Sequence, residues 1–244
     1  MRDQLYNQAI DEPFRFDERV VEVFADMISR SVPGYESVIA MTGALAARFT
    51  EAEDRVYDLG ASLGAGCFSI AAQVRHPLRI IAVDSSQAMI AKLEKRLEQE
   101  RLEKARESSS HRFACIHEDI NELAFEPAGF VALNYTLQFT PLEARAALLS
   151  KIAAALKPGG ALILSEKIHF DDSAYDLLMR ELHEDFKRRN GYSNTEIARK
   201  RRAIESVLIT ESLGEHLERL KSSGFKTVEP WFQCANFCSV LAIK

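Results

Sequence analysis

Apolar positions near the start of the chain recur at helical spacing. From Phe16 onward, Val20, Val23, Phe24, Met27 and Ile28 fall on one face, with Asp17 placed as an N-cap and Glu18 in the first turn. The pattern stops at Val32-Pro33-Gly34, and a second amphipathic helix is predicted from about 35 to 49. Beyond it the rhythm changes to short apolar runs. Those at 56–59, 79–83, 112–116, 130–133 and 161–165 are separated by helical or loop-forming sequence and predict strands. Strands alternating with helices imply a parallel sheet with helices on both faces. The stretch 166–223 is patterned as helix, far longer than an ordinary connection, and predicts an inserted helical lid. Two further runs, 226–232 and 237–243, are joined by a short connection and predict a closing antiparallel hairpin. The expected fold class is α/β: a doubly wound, mostly parallel seven-stranded sheet in a single domain, 1–244, with an N-terminal helical extension over 1–53. Glu107-Ser108-Ser109-Ser110 reads as an exposed loop.

Composition narrows the class. With 244 residues, 47% hydrophobic and 27% charged, the chain suits one α/β core. A net charge of -5 argues against direct nucleic-acid binding, which would need a local basic patch. The first twenty residues carry acids and bases throughout, and no later stretch reaches the roughly 20 apolar residues of a spanning helix. No membrane partner is expected, and the cytoplasm is the expected location. Cys67, Cys115, Cys234 and Cys238 form no CxxC pair and have no histidine at zinc spacing, so no metal site is expected.

Candidate chemistry begins at Val56-Tyr57-Asp58-Leu59-Gly60-Ala61-Ser62-Leu63-Gly64-Ala65-Gly66, a strand that enters a glycine-rich turn and then a helix. In a dinucleotide fingerprint the second and third glycines would stand where Ser62 and Ala65 do, so pyrophosphate is a poor fit. The carboxylate of Asp58, expected to aim at the turn, suits an ammonium or sulfonium. Asp84-Ser85 ends the second strand, where a carboxylate accepts both hydroxyls of a ribose. Past the third strand, Asp119 is placed to accept from an adenine amino group while Ile120 covers the ring. Each acid alone reads as a solvated loop residue. Their order after successive strands changes that reading.

Together these residues resemble the class I S-adenosylmethionine-dependent methyltransferase fold, and Leu156-Lys157-Pro158-Gly159-Gly160-Ala161-Leu162 matches that family's turn into its fifth strand. A narrower resemblance covers nearly the whole chain. Phe16-Asp17-Glu18-Arg19-Val20, Arg30-Ser31-Val32-Pro33-Gly34-Tyr35, Asn134-Tyr135-Thr136-Leu137-Gln138-Phe139, Leu164-Ser165-Glu166-Lys167, Asp185-Phe186-Lys187-Arg188, Asn190-Gly191-Tyr192-Ser193 and Trp231-Phe232-Gln233-Cys234 are similar to the carboxy-S-adenosylmethionine synthases. That resemblance implies an enzyme of bacterial tRNA wobble-uridine modification. It would move a carboxyl group from prephenate to the methyl carbon of S-adenosylmethionine, releasing phenylpyruvate and water, and would act as a homodimer. It also implies ligand contacts at Tyr35, Gly60, Ala61, Ser62, Asp84, Ser85, Asp119, Ile120, Asn134 and Arg201. Arg201 is the implied catalytic residue, pairing with the product's new carboxylate through the planar fork of its guanidinium. From the residues alone, Arg199-Lys200-Arg201-Arg202 reads as the wet face of a helix.

The chain departs from the family where Ala61 replaces cysteine, Ser85 replaces asparagine and Ala235 replaces an aromatic residue. None of these removes a charged contact. Two other functions stay open on the residues themselves. One is a methyltransferase acting on tRNA or a small molecule, for which Lys187, Arg188, Arg189, Arg199, Lys200, Arg201 and Arg202 would form a phosphate-binding face. The other is a non-catalytic module that binds S-adenosylmethionine. His169, His183 and His216 have no partner at ligand spacing and receive no role.

Overall fold

A computed structural model of the chain describes residues 2–7, 14–103 and 111–244. The loop read at Glu107-Ser108-Ser109-Ser110 lies outside the described residues. The strands are β1 (Asp54–Leu59), β2 (Leu78–Asp84), β3 (Arg112–His117), β4 (Ala128–Asn134), β5 (Leu156–Lys167), β6 (Thr227–Cys234) and β7 (Phe237–Ile243). They form one sheet in the order β3-β2-β1-β4-β5-β7-β6. The neighbours from β3 to β5 pair in parallel, and β7 runs antiparallel to both β5 and β6. The chain therefore builds outward from β1 to β3 and returns to lay β4 on the other side of β1. A crevice opens at the carboxyl ends of strands where the order reverses in this way.

Alternation along each strand decides the layers. Val56, Ile80, Ala82, Phe130, Ala132 and Ile163 pack on one face with Ala46 of α2 (Tyr35–Phe49), Cys67 and Ile70 of α3 (Ala65–Gln73) and Leu93 of α4 (Gln87–Glu103). Tyr57, Leu59, Val131, Leu133, Leu162 and Leu164 pack on the other with Leu148, Leu149 and Ile152 of α5 (Leu142–Ala155) and Leu220 of α8 (Leu213–Ser222). Most of these side chains are wholly buried, and each Val, Leu, Ile and Phe among them contributes about 1.5–3 kcal/mol of transfer free energy. Because Leu220 sits in the sheet's own core, α8 belongs to the layer on the sheet. Only two helices of the stretch 166–223, α6 (Ser173–Arg189) and α7 (Asn194–Ile204), stand with α1 (Glu18–Ser31) over its carboxyl edge.

Local chemistry sets these ends. Asp17 caps α1 by accepting from the Arg19 and Val20 backbone N–H groups at 3.0 and 3.2 Å, as its position in sequence predicts. Gly34 opens α2 at φ +76°, and Ser193 with Glu196 closes a capping box at the start of α7. Below the carboxyl edge, the wholly buried Arg145 donates to the carbonyls of Thr140 and Ile209 and pairs with Glu211, which also holds Arg219. That cluster ties the segment leaving β4 to the approach of α8. Among the described residues no helix is long and apolar enough to cross a membrane.

Candidate functional site

The turn after β1 is anchored to its neighbour strand: the N–H groups of Gly60 and Ala61 donate to the carbonyl of Val83 at 2.8 and 3.0 Å. Gly60 adopts φ +75°, and a Cβ there would meet Thr136 Oγ1 at 2.1 Å, so the position demands glycine on two counts. Asp84 at the end of β2 completes the turn. Its Oδ2 accepts from Ser62 N–H and its Oδ1 from Ser86 N–H, both at 2.8 Å. Burial pushes its carboxyl upward while these two donors hold it down, so each oxygen keeps an unused lone pair beside the crevice.

A cavity of ≈ 700 Å³ of empty space lies there, lined by Gly60, Ser62, Asp84, Ser85, Asp119, Ile120 and Asn134 together with Phe16, Tyr135, Phe139 and Pro141. Seven of the predicted ligand residues thus converge on one space. The lining fits an adenosyl sulfonium: carboxylates at Asp84 and Asp119 for hydroxyls, an amino group and positive charge, and apolar Ile120, Phe16 and Phe139 for a ring.

The other predicted residues are placed differently. Ala61 is buried behind the turn, in the core with α3. Tyr35 starts α2 and packs on Tyr135 at 6.0 Å between ring centroids, outside the lining of the cavity. Asn134 does line the cavity, yet its amide is engaged, Nδ2 donating to Thr42 Oγ1 and Oδ1 accepting from Ser165 Oγ. Arg201 belongs to a second cavity. Asp58 corrects a sequence expectation. Its carboxylate turns away from the glycine turn and accepts from both N–H (2.9 Å) and Sγ (3.2 Å) of Cys67, fastening α3 to β1. Buried there, its carboxyl is pushed up to about 6.

The second cavity, ≈ 980 Å³ of empty space, shares Phe16, Tyr135 and Phe139 with the first as a common wall. Its floor is Gln138, Lys167 and Phe237 at the sheet edge, and its cover is Phe24, Met27 and Ile28 of α1, His183, Glu184 and Lys187 of α6, and Lys200, Arg201 and Ile204 of α7. Glu166 fixes the floor by accepting from the N–H groups of Leu137 and Gln138 at 2.9 and 3.0 Å. Burial pushes that carboxyl up to about 8 against the two donors. Arg201, largely exposed at the rim, pairs with Glu184 at 3.0 Å.

This arrangement divides the basic residues that sequence groups together. Lys187, Lys200 and Arg201 face the cavity. Arg188 instead pairs with Glu184 and Asp185, and Arg199 donates to the carbonyls of Tyr6 and Asn7. No single phosphate-binding face results from them. Lys167 and His183 receive no ligand role from the sequence, and Lys187 and Lys200 enter there only as part of an alternative phosphate-binding face, though Lys167 and Lys187 lie in the motifs Leu164-Ser165-Glu166-Lys167 and Asp185-Phe186-Lys187-Arg188. Among the described residues no group of three or more His, Cys, Asp and Glu is placed to hold a metal ion.

Comparison with known proteins places the chain by family and by fold. Residues 56–160 match a family profile described as a methyltransferase domain. A carboxy-S-adenosyl-L-methionine synthase of Pseudomonas putida (strain W619) is 49% identical over 99% of this chain and 98% of its own. One of Salmonella arizonae is 46% identical over 100% of this chain and 97% of its own. Among solved structures, an O-methyltransferase family protein from Burkholderia thailandensis superposes with a TM-score of 0.63 at 16% identity, covering 94% of this chain and 60% of that one. Human N-acetylserotonin methyltransferase in complex with S-adenosylmethionine gives 0.61 at 14% identity, covering 93% and 55%. Those two likenesses bear on the fold.

Proposed function

We propose, for a chain that belongs to the family of carboxy-S-adenosyl-L-methionine synthases, that it carboxylates S-adenosylmethionine on its methyl carbon with prephenate as the donor. The observation that carries this reading is the shared wall of Phe16, Tyr135 and Phe139: an acid-lined cavity on one side, a base-lined cavity on the other. A sulfonium nucleoside and a dianionic ring are the two substrates such a pair of spaces separates and brings together.

The residues supply binding, orientation and exclusion of water. Asp84 and Ser85 take the ribose hydroxyls, Asp119 the adenine amino group and Ile120 the ring. The backbone of Gly60, Ala61 and Ser62 comes close to the amino-acid portion, with Tyr35 and Asn134 supporting that end. In the donor, the bond from the ring to its carboxylate breaks as hydroxide leaves from the opposite carbon, which aromatises the ring and yields phenylpyruvate. Hydroxide takes a proton from the sulfonium methyl, forming water, and the methyl carbon bonds to the released carbon dioxide. No protein nucleophile enters, so the site's task is to hold the partners together before a proton from water intervenes. Arg201 then exchanges Glu184 for the product's new carboxylate.

The product would serve tRNA wobble-uridine modification in the cytoplasm, with a separate enzyme meeting the RNA. A homodimer fits the exposed apolar side chains of Tyr175, Leu177, Leu178 and Leu182 on α6. Incubating the protein with S-adenosylmethionine and prephenate should give a species heavier than S-adenosylmethionine by one carbon dioxide in mass spectrometry, together with phenylpyruvate. Unchanged S-adenosylmethionine after that incubation rejects the assignment.

A further inference from the structure

Three lysines from three separate elements converge on the helix-covered cavity. Lys167 ends β5, Lys187 lies in the last turn of α6 and Lys200 lies in α7. Lys200 Nζ donates to Ser31 Oγ at 2.7 Å and stands 5.3 Å from the ring centre of Tyr192. Neither Lys167 nor Lys187 has a carboxylate partner among the described residues. The one carboxylate in the lining, Glu184, is taken by Arg201 and Arg188.

Ammonium groups gathered out of water with no carboxylate in contact oppose folding, because each loses hydration that the more distant carboxylates, Asp3 and Asp26 for Lys200 and Glu184 for Lys167 and Lys187, only partly replace. The strain is visible in their acidity. Burial lowers Lys187 to about 7, helped by Lys167 and Lys200, and burial lowers Lys200 to about 8. Lys167 is lowered by burial and then by Arg180. His183, whose Nε2 donates to the Ser31 carbonyl at 2.7 Å, is driven well below its ordinary range by burial and by Lys187. A cluster serving only packing would be more stable with methionine or leucine at these positions. An anion arriving among the lysines removes the repulsion and restores their charge.

The rest of the lining limits what that anion can be. Phe14, Phe16, Phe24, Met27, Ile28 and Phe139 present apolar surface to its other end. The shape calls for a hydrophobic ring bearing a carboxylate on a short arm. We infer that Lys167, Lys187 and Lys200 form the seat for the carboxylate that the donor retains, the one on its pyruvyl arm, leaving the carboxylate on the ring to be lost toward the sulfonium. This rests on the proposed carboxyl transfer for the identity of the ligand. It makes the lysines positioning and specificity residues: they select a ring that carries a carboxylate on a short arm, and they hold phenylpyruvate after the reaction.

The test uses the full chain with Lys167→Gln, Lys187→Gln and Lys200→Gln singly, and Lys187→Arg as the conservative variant. Steady-state assays vary prephenate, and calorimetry measures phenylpyruvate and S-adenosylmethionine separately. Each glutamine variant should raise the KM for prephenate and weaken phenylpyruvate roughly ten- to hundred-fold, the range for losing one charged hydrogen bond. S-adenosylmethionine should bind within about twofold of wild type, which also reports that the variant is folded, and Lys187→Arg should recover most of the loss. An unchanged KM in all three glutamine variants, with wild-type turnover intact, overturns the seat while sparing the carboxyl transfer. If wild type makes no carboxylated product but still binds phenylpyruvate in a lysine-dependent way, the seat stands and the transfer falls. Equal losses of phenylpyruvate and S-adenosylmethionine in every variant also overturn the seat, since they mean general structural damage.

Discussion

The two cavities beside the Phe16-Tyr135-Phe139 wall are made from different materials. The acid-lined one is drawn by the sheet: its essential groups sit at the last residue or within three residues past the ends of β1, β2 and β3, and its turn is held by N–H groups donating to the Val83 carbonyl and the Asp84 carboxylate. The base-lined one is drawn by side chains from the consecutive β5, α6 and α7 and from α1, which lies far from them in sequence. A sheet edge presents backbone N–H groups and short acids in fixed places, which suits recognition of an invariant nucleoside. Helices laid over that edge bring long charged side chains whose reach depends on how they dock. The first kind of site is stiff by construction, and the second is assembled.

The comparison breaks most readily at Asp84. Asp84→Ala removes the acceptor proposed for the two ribose hydroxyls and frees the N–H groups of Ser62 and Ser86, so S-adenosylmethionine affinity should fall on the order of 100-fold or more. Phenylpyruvate, held by the other cavity, should change by no more than about threefold under the same calorimetry, if the spaces are as separate as their linings. Equal losses would make them one energetic unit.

Next in size is Gly60→Ala. The added Cβ meets Thr136, whose Oγ1 donates to the Leu59 carbonyl, and φ +75° strains any side chain. A loss of about 1–3 kcal/mol in stability is expected, seen as a lower denaturant midpoint, with weaker S-adenosylmethionine binding.

Arg201→Ala sharpens the contrast rather than breaking it. Removing the guanidinium should weaken the carboxylated product roughly tenfold and S-adenosylmethionine about twofold at most, because only the product carries the extra carboxylate. Parallel losses in direct binding measurements would assign this arginine to structure, through its pair with Glu184.

The smallest effect is a proton. Lys187, at about 7, faces Lys167, Lys200, Arg180, Arg201, His183 and Glu184 across the cavity. Near pH 8 it is mostly neutral, so an incoming carboxylate raises its affinity for a proton and binding takes one up. At pH 6 it is already charged and uptake vanishes. Anion affinity is thus greatest below about 7 and declines as pH rises past it. Phenylpyruvate heats measured at pH 8 in buffers of different ionisation enthalpy should differ by up to about one proton's worth. Identical heats would mean the lysine is charged before binding.

The cap at Asp17 and the places of Asp84 and Ile120 on the cavity were legible in sequence because both are set locally. An N-cap acts within three residues, and the end of a strand fixes where the next side chain points. Asp58 shows the limit of that logic. Its place before Gly60 is plain, but whether it faces the ligand or α3 depends on the packing of Cys67 against β1. Asn134 is similar, since Thr42 and Ser165, which engage its amide, come from α2 and β5.

By itself, then, the amino-acid order determined the seven strands, the helices between them, the closing hairpin and the acids along the sheet's edge, all of which follow from periods of two and 3.6 and from turn chemistry. Tertiary structure alone decided that α8 rests on the sheet while α6 and α7 cover its edge, and that Lys187 and Lys200 turn inward while Arg188 and Arg199 do not. The reason is that a run of basic residues looks the same along the chain whether it meets water or a cavity; only the docking of helices distant in sequence sets the dielectric and the neighbours each charge will have.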